Sequence, residues 1–217
     1  MKHFTLRTRL VLIILAALLA LPLAPTASPV EAKKRARTVT RMFRNVVPIN
    51  LPIGESNPVS AGYYPSDVAV GGLKGTIRDV NLRLNNVSHA HPRDLQALLV
   101  GPRGQTAIVV SHVGGEFDIT DVTLTLDDES AAALPTLVPL QSGAFRPTNA
   151  LGSAIPFNAP APATSANAAL SVFDGTDPNG TWRLFVQDDF ASEDSGVFAG
   201  GWELELKVQV KAKKKKR

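Results

Sequence analysis

The sequence predicts an all-β fold: two antiparallel sheets packed as a jelly-roll-like β-sandwich, in the general class of galactose-binding-like sandwiches. Three observations predict it. Apolar residues recur at every second position in several separate runs, Gly and Pro punctuate those runs at short spacing, and beyond residue 32 no useful length of chain carries a helical stripe. Alternation with a period of two is what a pleated strand shows when one face is buried and the other is wet. Several such strands between turn residues bury their apolar faces by packing sheet on sheet.

The elements follow in order. Lys2, Arg7 and Arg9 precede the uncharged run "LVLIILAALLALPLA" from Leu10 to Ala24. Fifteen residues fall short of the roughly 20 that cross a bilayer and match the core of a secretory signal peptide. Residues 1–32 are therefore expected to form a signal helix, cut after Ala32 where Val30-x-Ala32 places small residues at both recognition positions. The chain should be secreted and should keep no transmembrane span after cleavage. Residues 33–47 read as a basic flexible arm, and residues 48–206 as the sandwich. In "VNLRLNN", Val80, Leu82 and Leu84 alternate with Asn81, Arg83 and Asn85. "DLQALLVG" and "QTAIVVSHV" are more continuously apolar, as central strands are, and Gly101-Pro102-Arg103-Gly104 joins them as a hairpin turn. "DVTLTLDD" puts Val122, Leu124 and Leu126 in one phase. "ESAAAL" (129–134) is expected to make a turn or two of helix. The Ala-, Pro- and Ser-rich stretch 130–168 reads as a long crossover with one short strand near Gly143–Arg146. "TWRLFVQD" buries Trp182, Leu184 and Val186. "GWELELKVQV" buries Trp202, Leu204, Leu206, Val208 and Val210, and residues 207–217 carry the end of this last strand into a Lys-rich tail.

Charge is distributed unevenly. Residues 33–47 hold six basic residues and no acid, and residues 207–217 hold seven and no acid. Residues 48–206 hold seven basic and eighteen acidic residues, a net charge of −11. Basic segments of this kind are drawn to anionic polymers or membrane surfaces. An exported chain makes nucleic acid a poor partner. With no Cys, disulfides cannot help the fold, which must rely on its core or on bound ions.

Two stretches carry a family resemblance. Ser88-His89 with Asp94-Leu95, the Gly101-Pro102-x-Gly104 turn, Asn179-Gly180-Thr181-Trp182, Asp188, Gly196 and Gly201-Trp202-x-Leu204 stand in an order that resembles the P domain, or P/Homo B domain. That module follows the catalytic domain of kexin- and furin-type convertases and of bacterial subtilisin-like proteases. The resemblance spans roughly residues 60–206, interrupted by the crossover. It implies a jelly-roll sandwich that packs against a subtilisin-like domain, stabilises it and tunes its calcium and pH dependence. The protease itself is absent, since a subtilase needs Ser, His and Asp from separate motifs on a domain of several hundred residues. Ser88-His89 and Ser111-His112 are adjacent pairs. If extended, their side chains point to opposite faces and cannot hydrogen-bond to each other. No catalytic residue is therefore expected, and a protein partner in trans is.

Candidate sites are few. Asp188, Asp189, Glu193 and Asp194 lie between two strands, with Asp174 and Asp177 in the preceding turn and Asp94 joining them through the resemblance. Ca2+ takes six to eight oxygens from such groups, which makes Asp94, Asp174, Asp177, Asp188, Asp189 and Asp194 a candidate calcium set. The bland alternative is that these carboxylates bond turn amides. His89-x-His91 lacks a third zinc ligand. Tyr63-Tyr64 is thin support for a sugar platform.

Overall fold

The computed structural model describes residues 37–54, 57–190 and 195–210. Thirteen strands are present among them: β1 (Arg37–Asn45), β2 (Ile49–Leu51), β3 (Val59–Ser60), β4 (Ser66–Val70), β5 (Thr76–His89), β6 (Leu95–Val100), β7 (Thr106–Ser111), β8 (Ile119–Leu126), β9 (Gly143–Phe145), β10 (Thr148–Asn149), β11 (Gly180–Asp188), β12 (Gly196–Phe198) and β13 (Trp202–Val210). The fold is an all-β sandwich. One sheet centres on β5, which is paired by β13, β12 and β8, with β1 beyond β13, β2 beyond β12 and β9 beyond β8. The other runs β10-β7-β6-β11-β3, with β4 also pairing β11. The sequence reading of antiparallel sheets holds for most pairs, but β10 lies parallel to β7 and β9 parallel to β8. Both exceptions come from the crossover, which returns along the sheets without the hairpins that would reverse it.

The alternating phases are buried as the pleat requires. Val80, Leu82, Leu84, Val122, Leu124, Leu126, Trp182, Leu184, Val186, Trp202, Leu204, Leu206 and Val208 all lie in one core. Only Val210, at the end of its strand, remains partly open. Both indoles are fully buried with their N–H groups satisfied: Trp182 Nε1 donates to the Pro178 carbonyl and Trp202 Nε1 to Ser66 Oγ, each at 3.0 Å. The hairpin turn forms as expected, closed by the Gly104 N–H on the Gly101 carbonyl at 3.0 Å. In β5 the phase shifts between Leu84 and Val87. Asn86 sits there at φ 53°, a left-handed conformation that Asn tolerates better than most residues. Gly201, before Trp202, has φ 65°, and a Cβ there would collide with the Asn45 carbonyl. The Gly-Trp pair therefore has a steric origin.

Three expectations are corrected. Residues 37–45, read as flexible arm, form β1, in register with β13 from Arg37↔Val210 to Asn45↔Trp202. Phe43 packs on the core from this strand, so the charges that suggested an arm sit on a strand whose backbone and one aromatic are committed. Residues 129–134 make no helix. Ala133 bridges Arg146 instead, and the Arg146 side chain ties down the carbonyls of Ser130 and Ala131. The crossover holds the expected short strand near Gly143 as β9, but it also forms β10 and lays Ile155, Phe157 and Ala161 over Leu98, Val100, Ile108 and Phe185. This second cluster covers the outer face of β6, β7 and β11, which explains why every residue of β6 is buried. The proposed signal peptide, residues 33–36 and residues 211–217 lie outside the described residues. No described helix is long and apolar enough to cross a membrane.

Candidate functional site

The candidate site is one end of the sandwich, where β5 and β11 finish and β6 begins. His89 closes β5 and Asp188 closes β11. Both side chains are fully buried, with Nε2 3.0 Å from Asp188 Oδ2. His89 Nδ1 accepts the His91 N–H at 3.2 Å, so the ring hydrogen sits on Nε2 and is donated to the carboxylate. Asp188 Oδ1 accepts the Phe190 N–H at 2.9 Å. Both oxygens of Asp188 are thus used inside the protein, and His89 is a bonded interior group and not half of a zinc site.

The neighbouring carboxylates are less content. Asp94 ends a 3-10 turn over Pro92–Asp94, and its carbonyl accepts the Asp189 N–H at 2.9 Å. Burial, then the nearby charges of Asp189 and Asp188, push the Asp94 carboxyl up to about 6. Burial also raises Asp189, against the lowering effect of His112 and of the Gln96 amide. Asp189 Oδ2 accepts from Gln96 Nε2 at 2.8 Å and lies 3.2 Å from His112 Nε2. Gln96 in turn accepts from Gln187 at 2.8 Å, and Gln187 reaches the Pro156 carbonyl in the crossover at 3.0 Å. A polar chain therefore runs from the open end of the sandwich to the segment covering its second sheet. Arg93 bonds Glu116 across the mouth. Arg93, Asp94, His112, Glu116, Asp189 and Phe190 line a recess of about 440 Å³.

One sequence inference fails here. Ser111 Oγ lies 2.7 Å from His112 Nδ1, although adjacent strand residues should diverge. β7 ends at Ser111 and His112 has φ 54°, so the imidazole swings back to its neighbour. Ser111, His112 and Asp189 are then linked in a hydroxyl–imidazole–carboxylate series. Ser111 is fully buried and is not among the residues lining the recess. A nucleophile must touch its substrate, and this hydroxyl is shut away. It orients His112.

The six candidate calcium ligands do not come together. Asp174 feels Asp79, near the start of β5, as a neighbouring charge, whereas Asp188 bonds His89 at the end of that strand. Ten residues of strand separate these positions by about 33 Å. Asp177 is also elsewhere, accepting from the Asn179 N–H at 3.0 Å and from Arg103 at 3.0 Å. Asp177 and Asp188 behave as turn-capping residues. Asp94, Asp188 and Asp189 remain together, but the oxygens of Asp188 and one of Asp189 are occupied by internal donors. Among the described residues no group of three or more His, Asp or Glu side chains is arranged to hold a metal ion. Glu193 and Asp194 lie outside the described residues.

No family model and no curated protein matches this chain. Solved structures similar to it include two from Aeromonas sobria. The crystal structure of a serine protease of Aeromonas sobria is 13% identical with a TM-score of 0.38, covering 81% of this chain and 27% of that one. A chain from the complex of Aeromonas sobria serine protease with the chaperone ORF2 is 16% identical with a TM-score of 0.39, covering 81% and 28%. This chain thus spans little more than a quarter of the chains it matches. Likeness of that degree places no residue role and no activity on it.

Proposed function

We propose that this chain is an exported, non-catalytic binding module of the P-domain type, which holds and stabilises a protein partner, a subtilisin-like protease supplied in trans. The observation that carries the reading is the recess at the Asp94 end. Carboxylates held partly out of solvent, beside the exposed Phe190, are costly to the free protein and suit a site that is covered on binding. The sealed Ser111 hydroxyl favours binding over hydrolysis. The residues of the family resemblance supply the choice of partner. The test is the heat-inactivation half-life of a secreted subtilisin-like protease that lacks its own sandwich module, measured with and without the purified chain. A longer half-life and co-elution on gel filtration are expected. An unchanged half-life with no co-elution overturns the proposal.

A second reading has one observation in its favour. Arg37 and Val210 are partners at the end of one ladder, so the described residues that border the basic stretches 33–36 and 211–217 are neighbours. Together the two stretches would hold the protein on an anionic envelope polymer as a surface or matrix component. Release from cells by moderate salt, and loss of attachment on deleting residues 211–217, would support this reading. Attachment that survives both excludes it.

A further inference from the structure

A second recess adjoins the acidic one. Arg93, His112 and Glu116 line both, but the walls of the second, about 410 Å³, are completed by Phe117, Leu137 and Leu151. Its shape is fixed by the loop after β7. Gly114 has φ 83°, and a Cβ there would stand 2.8 Å from the Pro92 side chain and 2.9 Å from that of Leu140. The Gly114 N–H donates to the Pro135 carbonyl at 2.6 Å, and the Ala150 N–H to the Ser111 carbonyl at 3.1 Å. The loop is thus clamped between the 3-10 turn and the crossover, and the recess is built before a partner arrives. A preformed site spares the ordering cost of binding.

The lining is apolar and open. Leu137 is 82% exposed, Leu151 56% and Phe117 47%, with Phe190 on the acidic side at 58%. Single exposed apolar residues need no explanation, but several around one preformed recess do. The adjoining acidic recess has a sign: Asp94, Glu116 and Asp189 line it with one guanidinium, Arg93, and the His112 imidazole. Such a rim repels acidic segments and anionic surfaces and favours cations.

The geometry points to one occupant, an extended segment of a partner protein that seats a large apolar side chain among Phe117, Leu137 and Leu151 and lays a nearby Lys or Arg against the Asp94, Glu116 and Asp189 rim. This inference rests on the protein-binding reading above and names the surface and chemistry it uses.

The test is a titration of the purified chain, carbon-13 labelled at its leucine methyls, with three short peptides in a Gly/Ser frame: Leu-Gly-Arg, Leu-Gly-Glu and Ser-Gly-Arg. The Leu-Gly-Arg peptide is expected to shift the Leu137 and Leu151 methyls saturably, at least about tenfold more tightly than the Leu-Gly-Glu peptide. The Ser-Gly-Arg peptide should leave them unmoved. Leu137→Ser should keep the thermal midpoint and weaken binding by about tenfold or more. Glu116→Gln should narrow the preference for Arg over Glu. No saturable shift at millimolar peptide, equal response to both charges, or full affinity in Leu137→Ser would each overturn the inference. A protease still protected by Leu137→Ser sinks this surface alone. No protection of the protease by the wild-type chain, with a saturable response to the Leu-Gly-Arg peptide, sinks the protease reading alone.

Discussion

Replacing Asp94 with Asn should make the protein more stable at neutral pH and leave it unchanged in acid. Burial and the charges of Asp189 and Asp188 raise the Asp94 carboxyl from an ordinary 3.8 to about 6 in the folded protein. Below 3.8 the group is protonated whether the chain is folded or not, and it contributes nothing. Between 3.8 and 6 the unfolded chain ionises while the folded one keeps its proton, so each rise in pH favours unfolding. Above 6 the penalty is complete. A shift of that size corresponds to at most about 3 kcal/mol. The carboxyl keeps some contact with solvent and lies 3.8 Å from Arg93, and screening reduces the figure to about 1 kcal/mol. For a domain of this length that is a rise in Tm of about 2–4 °C. Thermal unfolding followed by circular dichroism at about pH 3.5 and about pH 7.5 would measure it, with the gain expected only at the higher pH. A loss of stability at the higher pH would refute the reasoning, because it would mean that the carboxylate is satisfied by something the free protein already holds.

Asp188→Asn should cost about 3 kcal/mol in chemical denaturation, because an amide cannot accept from both His89 Nε2 and the Phe190 N–H without turning its own NH2 toward one of them; a change near zero would show that the pair rearranges freely. Removing residues 33–45 should lower Tm and not merely reduce charge, since Phe43 and the whole β1 ladder go with them; a truncated chain with an unaltered midpoint would return this stretch to the status of an arm. Calcium and chelator should give the same midpoint, because an ion that binds only the folded state raises stability with concentration and no group of three or more His, Asp or Glu among the described residues is arranged to hold a metal ion; a calcium-dependent rise would bring the 191–194 segment into the account. Ser111→Ala should leave the chain's behaviour toward peptide and ester substrates unchanged, and any activity lost with that hydroxyl would revive an enzymatic reading.

The sequence alone determined which face is buried in the strands whose apolar residues alternate. In Val80-Leu82-Leu84 or Trp202-Leu204-Leu206 the side chains alternate with the pleat, and the phase follows from local geometry with no knowledge of the partner strand. It also marked the Gly101–Gly104 turn, which is set by neighbours in the chain, and the short strand near Gly143. Only the tertiary structure decided which strands meet. Alternation names a face but no partner, so the charged stretch 37–45 gave no sign that β13 would pair with it. The continuous apolar run of β6 marked it as a central strand, but that the crossover covers its outer face is a matter of tertiary packing. The acidic residues near one another in sequence divided between two ends of the sandwich, because β11 carries the chain about 26 Å between Gly180 and Asp188. Ser111 and His112 met because the strand stops between them, a change of backbone that side-chain periodicity does not record. Side-chain pattern is a property of a few consecutive residues, whereas a site is made where distant strands end, and those ends are set by the packing of the whole.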